Sequence, residues 1–151
     1  MELVFKTSSK EETQELAKRI TSYLKGGDVC LLTGDLGAGK TTFVKGVAKY
    51  LNIKEDIISP TFNILKCYFE STPNLYHIDA YRLEDHNVDI GLDEFIEGEG
   101  ITMIEWPQYI ENLIPKTHLE ISLKNIGDSN REIVIKSDSS RFNDLFKGLE
   151  K

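Results

Sequence analysis

One eight-residue stretch constrains this chain more than any other: Gly34-Asp-Leu-Gly-Ala-Gly39-Lys40-Thr41 fits the glycine-rich phosphate loop G-x-x-x-x-G-K-[ST]. The spacing has a mechanical basis. Backbone N–H groups at the amino end of a helix attract concentrated negative charge, and glycines let that backbone approach a phosphate with no side chain between them. A lysine at position 40 then reaches the outer phosphates as a point charge, while the Thr41 hydroxyl suits magnesium. Glycine at its ordinary frequency of about 7% makes an accidental match rare. The setting agrees, because an apolar run precedes the loop and a helical pattern follows it. The loop therefore predicts a site for a nucleoside triphosphate with magnesium, contacted by Asp35, Leu36, Gly37, Ala38, Gly39, Lys40, Thr41 and Thr42, and hydrolysis of that triphosphate with Lys40 in a catalytic role.

Around the loop, hydrophobic periodicity lays out an α/β chain. Residues 2–6 read as a strand, and Ser8-x-x-Glu11 reads as a capping box opening a helix with Leu16, Ala17, Ile20, Tyr23 and Leu24 on one face, ended by Gly26-Gly27. Residues 28–33 form a nearly continuous apolar run, as a strand covered on both faces does. Phe43, Val44, Val47, Ala48 and Leu51 recur at helical spacing from Lys40, with Asn52 as the stop. Residues 62–70 and 75–79 predict a hairpin around Ser71-Thr-Pro-Asn74, and 118–124 with 131–137 a second around Gly127–Asn130. Between them, 101–105 reads as a buried strand and 108–114 as a short helix. A last helix carries Phe142, Leu145, Phe146 and Leu149 on one face, capped by Asp138 or Ser139. The expected architecture is the three-layer P-loop NTPase fold, with a mixed, mainly parallel sheet and antiparallel hairpins, as a single ATPase domain over 1–151. A chain of this length buries roughly 70% of its unfolded surface, which is enough for one core.

Magnesium prefers hard oxygen ligands, and an acid at the carboxyl end of a strand beside the loop strand faces the phosphates. Glu105, ending Ile101-Thr-Met-Ile, and Asp79, ending Leu75-Tyr-His-Ile, qualify as metal ligands with Thr41, or as groups that orient an attacking water. The alternative for each is a helix cap or an ion pair. His77 shares the Asp79 face by strand alternation, which leaves a role in support of that site open to it, while a satisfied structural histidine is the ordinary reading.

The balance of 18 basic against 25 acidic residues, a net charge of −7, disfavours a surface that wraps nucleic acid by itself. Cys30 and Cys67 form no C-x-x-C and read as buried, reduced thiols. The start of the chain lacks a secretory pattern and no stretch has the length of a membrane span, so the expected location is cytoplasmic, with no membrane partner.

The phosphate loop, Ser59-Pro-Thr-Phe62, His77-Ile-Asp-Ala-Tyr-Arg82, Gly91-Leu-Asp-Glu-Phe95 and Ile104-Glu-Trp-Pro107 occur together in one order and spacing. In these five motifs the chain resembles the bacterial TsaE (YjeE) family. The resemblance implies an ATPase using ATP and Mg2+, weak alone, that acts with the TsaD and TsaB proteins by ATP-driven conformational cycling. The product is threonylcarbamoyl-modified adenosine 37 in tRNAs reading ANN codons, and tRNA is met through the complex. It implies that Thr61 senses the γ-phosphate, supports Asp79 and Glu105 as metal-site acids, and places Trp106 near the nucleotide. Two positions depart from the family pattern: Ala80 stands where leucine is usual, and Gln108 where an acid is frequent.

Two other functions fit a phosphate loop. A small-molecule kinase needs basic clamps on the transferring phosphoryl group, and of the four arginines, Arg19, Arg82, Arg131 and Arg141, only Arg82 adjoins a motif. A GTP-binding switch of the Ras type carries an Asn-Lys-x-Asp guanine reader, which the sequence lacks.

Overall fold

A computed structural model of the chain describes residues 1–35, 37–60, 64–83 and 91–150. Strand β1 (Glu2–Thr7) leads into helix α1 (Lys10–Thr21). The capping residue is Ser9, one position later than the predicted box: its side chain accepts from the Glu12 N–H at 3.1 Å, and Glu12 reaches back to the Ser8 N–H at 3.3 Å. Starting at Lys10 places Thr13, Leu16, Ala17 and Ile20 inward together, and the Thr13 hydroxyl meets that of Thr7 at 2.7 Å. The core phase thus decides between two adjacent serines.

Strand β2 (Val29–Thr33) feeds the phosphate loop, and α2 (Lys40–Tyr50) follows. The α2 stop is as expected, with Asn52 in the left-handed region at φ 61 just past the helix. Strands β3 (Leu65–Tyr68) and β4 (Leu75–Asp79) pair antiparallel. Within the run expected over 62–70, β3 keeps only four residues, and positions 62 and 63 lie outside the described residues. A short helix that periodicity did not reveal, α3 (Leu92–Ile96), precedes β5 (Ile101–Glu105). The helix expected over 108–114 is instead a 3-10 segment, Pro107–Leu113, broken at Ile110 (φ −136°, ψ 37°), whose side chain is buried in the core. The chain closes with β6 (Leu119–Gly127), β7 (Asn130–Lys136) and α4 (Asn143–Leu149); Ser139, not Asp138, caps the 3-10 turn that leads into α4.

The sheet runs β1-β7-β6-β2-β5-β4-β3. Its centre, β6-β2-β5-β4, is parallel, and the antiparallel pairings lie toward the two edges. Because β7 opposes both β1 and β6, only β7 and β3 run against the other five strands. β2 buries both faces: Cys30 and Leu32 join the cluster under α1, α2 and α4, while Val29 and Leu31 join a smaller one with Leu92, Ile96 and Ile110. Helices on both faces complete three layers. α1 and α2 pack so closely that a Cβ at Gly46 would lie 2.6 Å from the Gln14 carbonyl oxygen.

Burial pushes the Cys30 thiol up from its ordinary range. Cys67, expected to be buried, is only half-buried because β3 is the edge strand of the sheet. Among the described residues no helix is long and apolar enough to cross a membrane.

Candidate functional site

The carboxyl ends of β2, β4, β5 and β6 share one edge of the sheet, and the phosphate loop crosses it. Two glycines explain how the loop fits there. Gly39 takes φ 104° as the residue that starts α2, and Gly34 takes φ 148° where a Cβ would stand 2.5 Å from the Leu123 carbonyl oxygen on β6. No side chain caps α2 and no acid occupies its first turn, so the helix itself does nothing to offset its positive end. Thr41 and Thr42 lie in that first turn, half-buried.

Lys40 is folded back across the loop. Its Nζ donates to the Gly34 carbonyl at 2.8 Å, lies 3.6 Å from Glu105 Oε1, and stands 4.6 Å from the centre of the Trp106 ring. The lysine is buried, at 7% exposure, so these contacts stand in for the water it has lost. Trp106 itself has a left-handed backbone (φ 57°), unusual for a bulky residue and of a kind that clusters at functional sites. Its ring stacks on Tyr109 and contacts Tyr81, and it forms one wall of a cleft of about 230 Å³ lined by Leu32, Thr33, Gly34, Asp35, Lys40 and Gln108.

Glu105 ends β5, the strand next to β2, and is buried. Its Oε2 lies 2.7 Å from His77 Nε2 while Oε1 faces Lys40. Burial pushes the Glu105 carboxyl up, but the hydrogen bond and charge of His77 and the Lys40 ammonium outweigh it, so the group titrates below its ordinary value. His77 is fully buried; its Nε2 meets Glu105, whereas its Nδ1 has no hydrogen-bond partner among the described residues, so the ring stands behind Glu105 with only one nitrogen engaged. Asp79 stands in register with Glu105, yet on β4, one strand further from the loop strand than expected. Its Oδ1 accepts from the Tyr81 N–H at 3.0 Å, so it also caps the 3-10 turn Tyr81–Leu83.

The structure thus gathers Gly34, Asp35, Lys40 and Trp106 at one cleft, with Glu105 behind Lys40 at 3.6 Å, Asp79 beside Glu105, and Gly37, Ala38, Gly39, Thr41 and Thr42 along the loop and the start of α2. Leu36 and Thr61 lie outside the described residues. Among the described residues no three acids, histidines or cysteines form a metal cluster. Magnesium does not need one, because it keeps waters and phosphate oxygens and takes only one or two protein carboxylates. A hydroxyl in the first turn of α2 and a carboxylate held ionised nearby fit that demand.

Sequence reasoning passed over Arg131. Its position in a hairpin far from any motif carried no signal, yet its Nη2 donates to the Gly37 carbonyl at 3.2 Å, so Arg82 is not the only arginine beside the site.

The family model described as "Threonylcarbamoyl adenosine biosynthesis protein TsaE" matches residues 7–133. The chain belongs to the TsaE family. A TsaE protein of Bacillus subtilis is 43% identical over 150 residues, covering 99% of this chain and 95% of that relative. One from Treponema pallidum is 42% identical over 130 residues, covering 84% and 95%. A crystal structure of Bacillus subtilis YdiB superposes with a TM-score of 0.86 at 39% identity, covering 99% of this chain and 95% of that one. The TsaE fold here is therefore a P-loop NTPase fold. Its family match spans the loop, both acids, Trp106 and Arg131.

Proposed function

We propose that this chain is a magnesium-dependent ATP hydrolase, one domain over its whole length, that serves tRNA threonylcarbamoyladenosine biosynthesis. The observation that carries the reading is the uncapped amino end of α2, with the buried Lys40 ammonium beside it and a carboxylate held ionised 3.6 Å away. That arrangement suits a ligand that brings several negative charges and a cation together. The pathway comes from the relatives, whose printed name is "tRNA threonylcarbamoyladenosine biosynthesis protein TsaE".

In this reading the loop N–H groups from Gly37 to Thr42 bind the phosphates, Lys40 leaves the Gly34 carbonyl for the outer phosphates, and Trp106 walls the cleft. Thr41 would hold magnesium with Glu105 or Asp79; bound there, the metal neutralises charge on the outer phosphates. The acid not engaged orients water, and Thr61 senses the γ-phosphate as the family likeness suggests. TsaD and TsaB are the proposed partners, and tRNA is reached through them.

Lys40→Ala tests the site. Calorimetry with a non-hydrolysable ATP analogue is expected to give an affinity weaker by roughly 10- to 100-fold, the loss of a charge-assisted contact. Unchanged affinity together with unchanged phosphate release would remove the assignment. Capture of TsaD and TsaB only when the analogue is present supports the pathway role over a free-standing kinase.

A further inference from the structure

We propose that His77 is a positioning residue of this site: it holds one oxygen of Glu105, so that the other is presented to the cation that accompanies the nucleotide. The inference rests on the magnesium and ATP reading above and gives a role to a buried group which that reading leaves unused.

Strand geometry brings the pair together. Leu75, His77 and Asp79 alternate onto one face of β4, and Ile101, Met103 and Glu105 onto the same face of β5. In the parallel register Asp79 lies opposite Glu105 and His77 opposite Met103, so the imidazole reaches Glu105 along the diagonal. Leu75, Ile101 and Met103 belong to the core under α1 and α2. Above them the face turns polar, and Glu105 meets Lys40, the first residue of α2.

Packing does not explain a histidine here. His77 is fully buried, and a buried polar group is costly unless it is hydrogen-bonded. Its Nδ1 has no partner among the described residues, so its hydrogen bonding rests on Nε2, 2.7 Å from Glu105 Oε2. Glu105 titrates below its ordinary value despite burial, so at neutral pH it is ionised and only accepts, and the Nε2–H is the donor. An apolar side chain would fill the same space with no nitrogen left unpaired. What the ring supplies instead is the bond to Glu105.

The two carboxylate oxygens are held unequally. Oε2 has the short bond to the imidazole, whereas Oε1 lies 3.6 Å from Lys40 Nζ, beyond good hydrogen-bond distance. When Lys40 turns to the phosphates, Oε1 is the oxygen released, in an orientation that His77 has already fixed. One free carboxylate oxygen suits magnesium, which keeps several waters and takes few protein ligands. A hydrogen bond behind a ligating carboxylate is a general means of orienting it.

The test measures binding of a non-hydrolysable ATP analogue by calorimetry, in excess Mg2+ and in EDTA, for the wild type, His77→Met and His77→Gln. The melting temperature of each nucleotide-free protein is recorded alongside. The ratio of the two affinities isolates the metal's share of binding. His77→Met fills the space without a donor, and it is expected to lower that ratio by about tenfold or more while keeping the affinity in EDTA, the scale of losing a group that orients a metal ligand. His77→Gln, whose amide nitrogen reaches the same oxygen, is expected to recover most of the ratio. If the melting temperature shows that His77→Met does not fold, His77→Asn replaces it, since its shorter amide falls short of Glu105. A wild-type ratio in that variant overturns the inference and leaves the magnesium site standing. Equal losses in Mg2+ and in EDTA, or a lowered ratio that His77→Gln does not raise, make His77 a packing residue only and also overturn it. A wild type that binds equally in both solutions removes the magnesium reading and the inference together.

Discussion

Glu105 engages two partners with its two oxygens, His77 with one and Lys40 with the other. Truncation to alanine would leave both His77 nitrogens unpartnered in the core, which confounds catalysis with folding. Glu105→Gln keeps the shape and removes the charge. It is expected to fold at neutral pH and to lower phosphate release by about a hundredfold or more, the scale of removing a group that acts on transition-state charge. The pH sign follows from the depressed carboxyl. Its contribution to stability is complete above the unfolded value of 4.5 and is lost as pH falls through the lower folded value, so acid unfolding of the wild type should contain a step that Glu105→Gln lacks. Urea midpoints measured from neutral pH downward check this, and identical curves would show that the charge is not linked to folding. Strand alternation made the shared face of His77 and Asp79 legible in the sequence. The contact with Glu105 was not, because it depends on the register of β4 against β5, in which Asp79 faces Glu105 and His77 falls on the diagonal.

The two helices beside the loop, α1 and α2, show how an element can be legible while its packing is not. Their apolar stripes predicted both, but nothing in the spacing showed that Gly46 is the point of contact, where a Cβ would press on the Gln14 carbonyl and the Ala17 methyl. Alanine in a helix interior ordinarily gains about 1 kcal/mol over glycine. Here that gain is set against an overpacking cost of about 1–3 kcal/mol, so Gly46→Ala is expected to be net destabilising. Chemical denaturation checks the sign, and a more stable variant would mean that α2 moves away from α1 freely. Helix capping carries a similar lesson: Ser8 and Ser9 are equivalent in pattern, and only the burial of Thr13 through Ile20 selects Ser9. The 3-10 break at Ile110 had no local signal, since its cause is a place in the core beside α3.

At the scale of the molecule, the strand-loop-helix unit made the parallel centre of the sheet readable, and turn residues made the hairpins readable. Strand order was not, because which strand lies next to β2 depends on how the layers pack. That order sets the two acids apart: Glu105 comes from the strand beside β2 and Asp79 from the next one out. Arg131 reaches the loop through the Gly37 carbonyl, and among the described residues no arginine lines the cleft that Lys40 and Trp106 share. The isolated protein is therefore expected to hydrolyse ATP slowly, with the rate changed by TsaD and TsaB, since an arginine added in trans accelerates related sites by about 10³- to 10⁵-fold. Phosphate release from the protein alone, with each partner, and with both plus tRNA checks this against a Lys40→Ala blank. Equal rates throughout would mean that turnover is not coupled to assembly.

The chain contains a single tryptophan, and it is Trp106, with its ring 4.6 Å from the Lys40 ammonium and stacked on Tyr109. Every photon of indole emission from this protein therefore originates at the wall of the cleft. The molecule carries its own optical reporter within contact of Lys40, and the site can be followed in real time without attaching a dye.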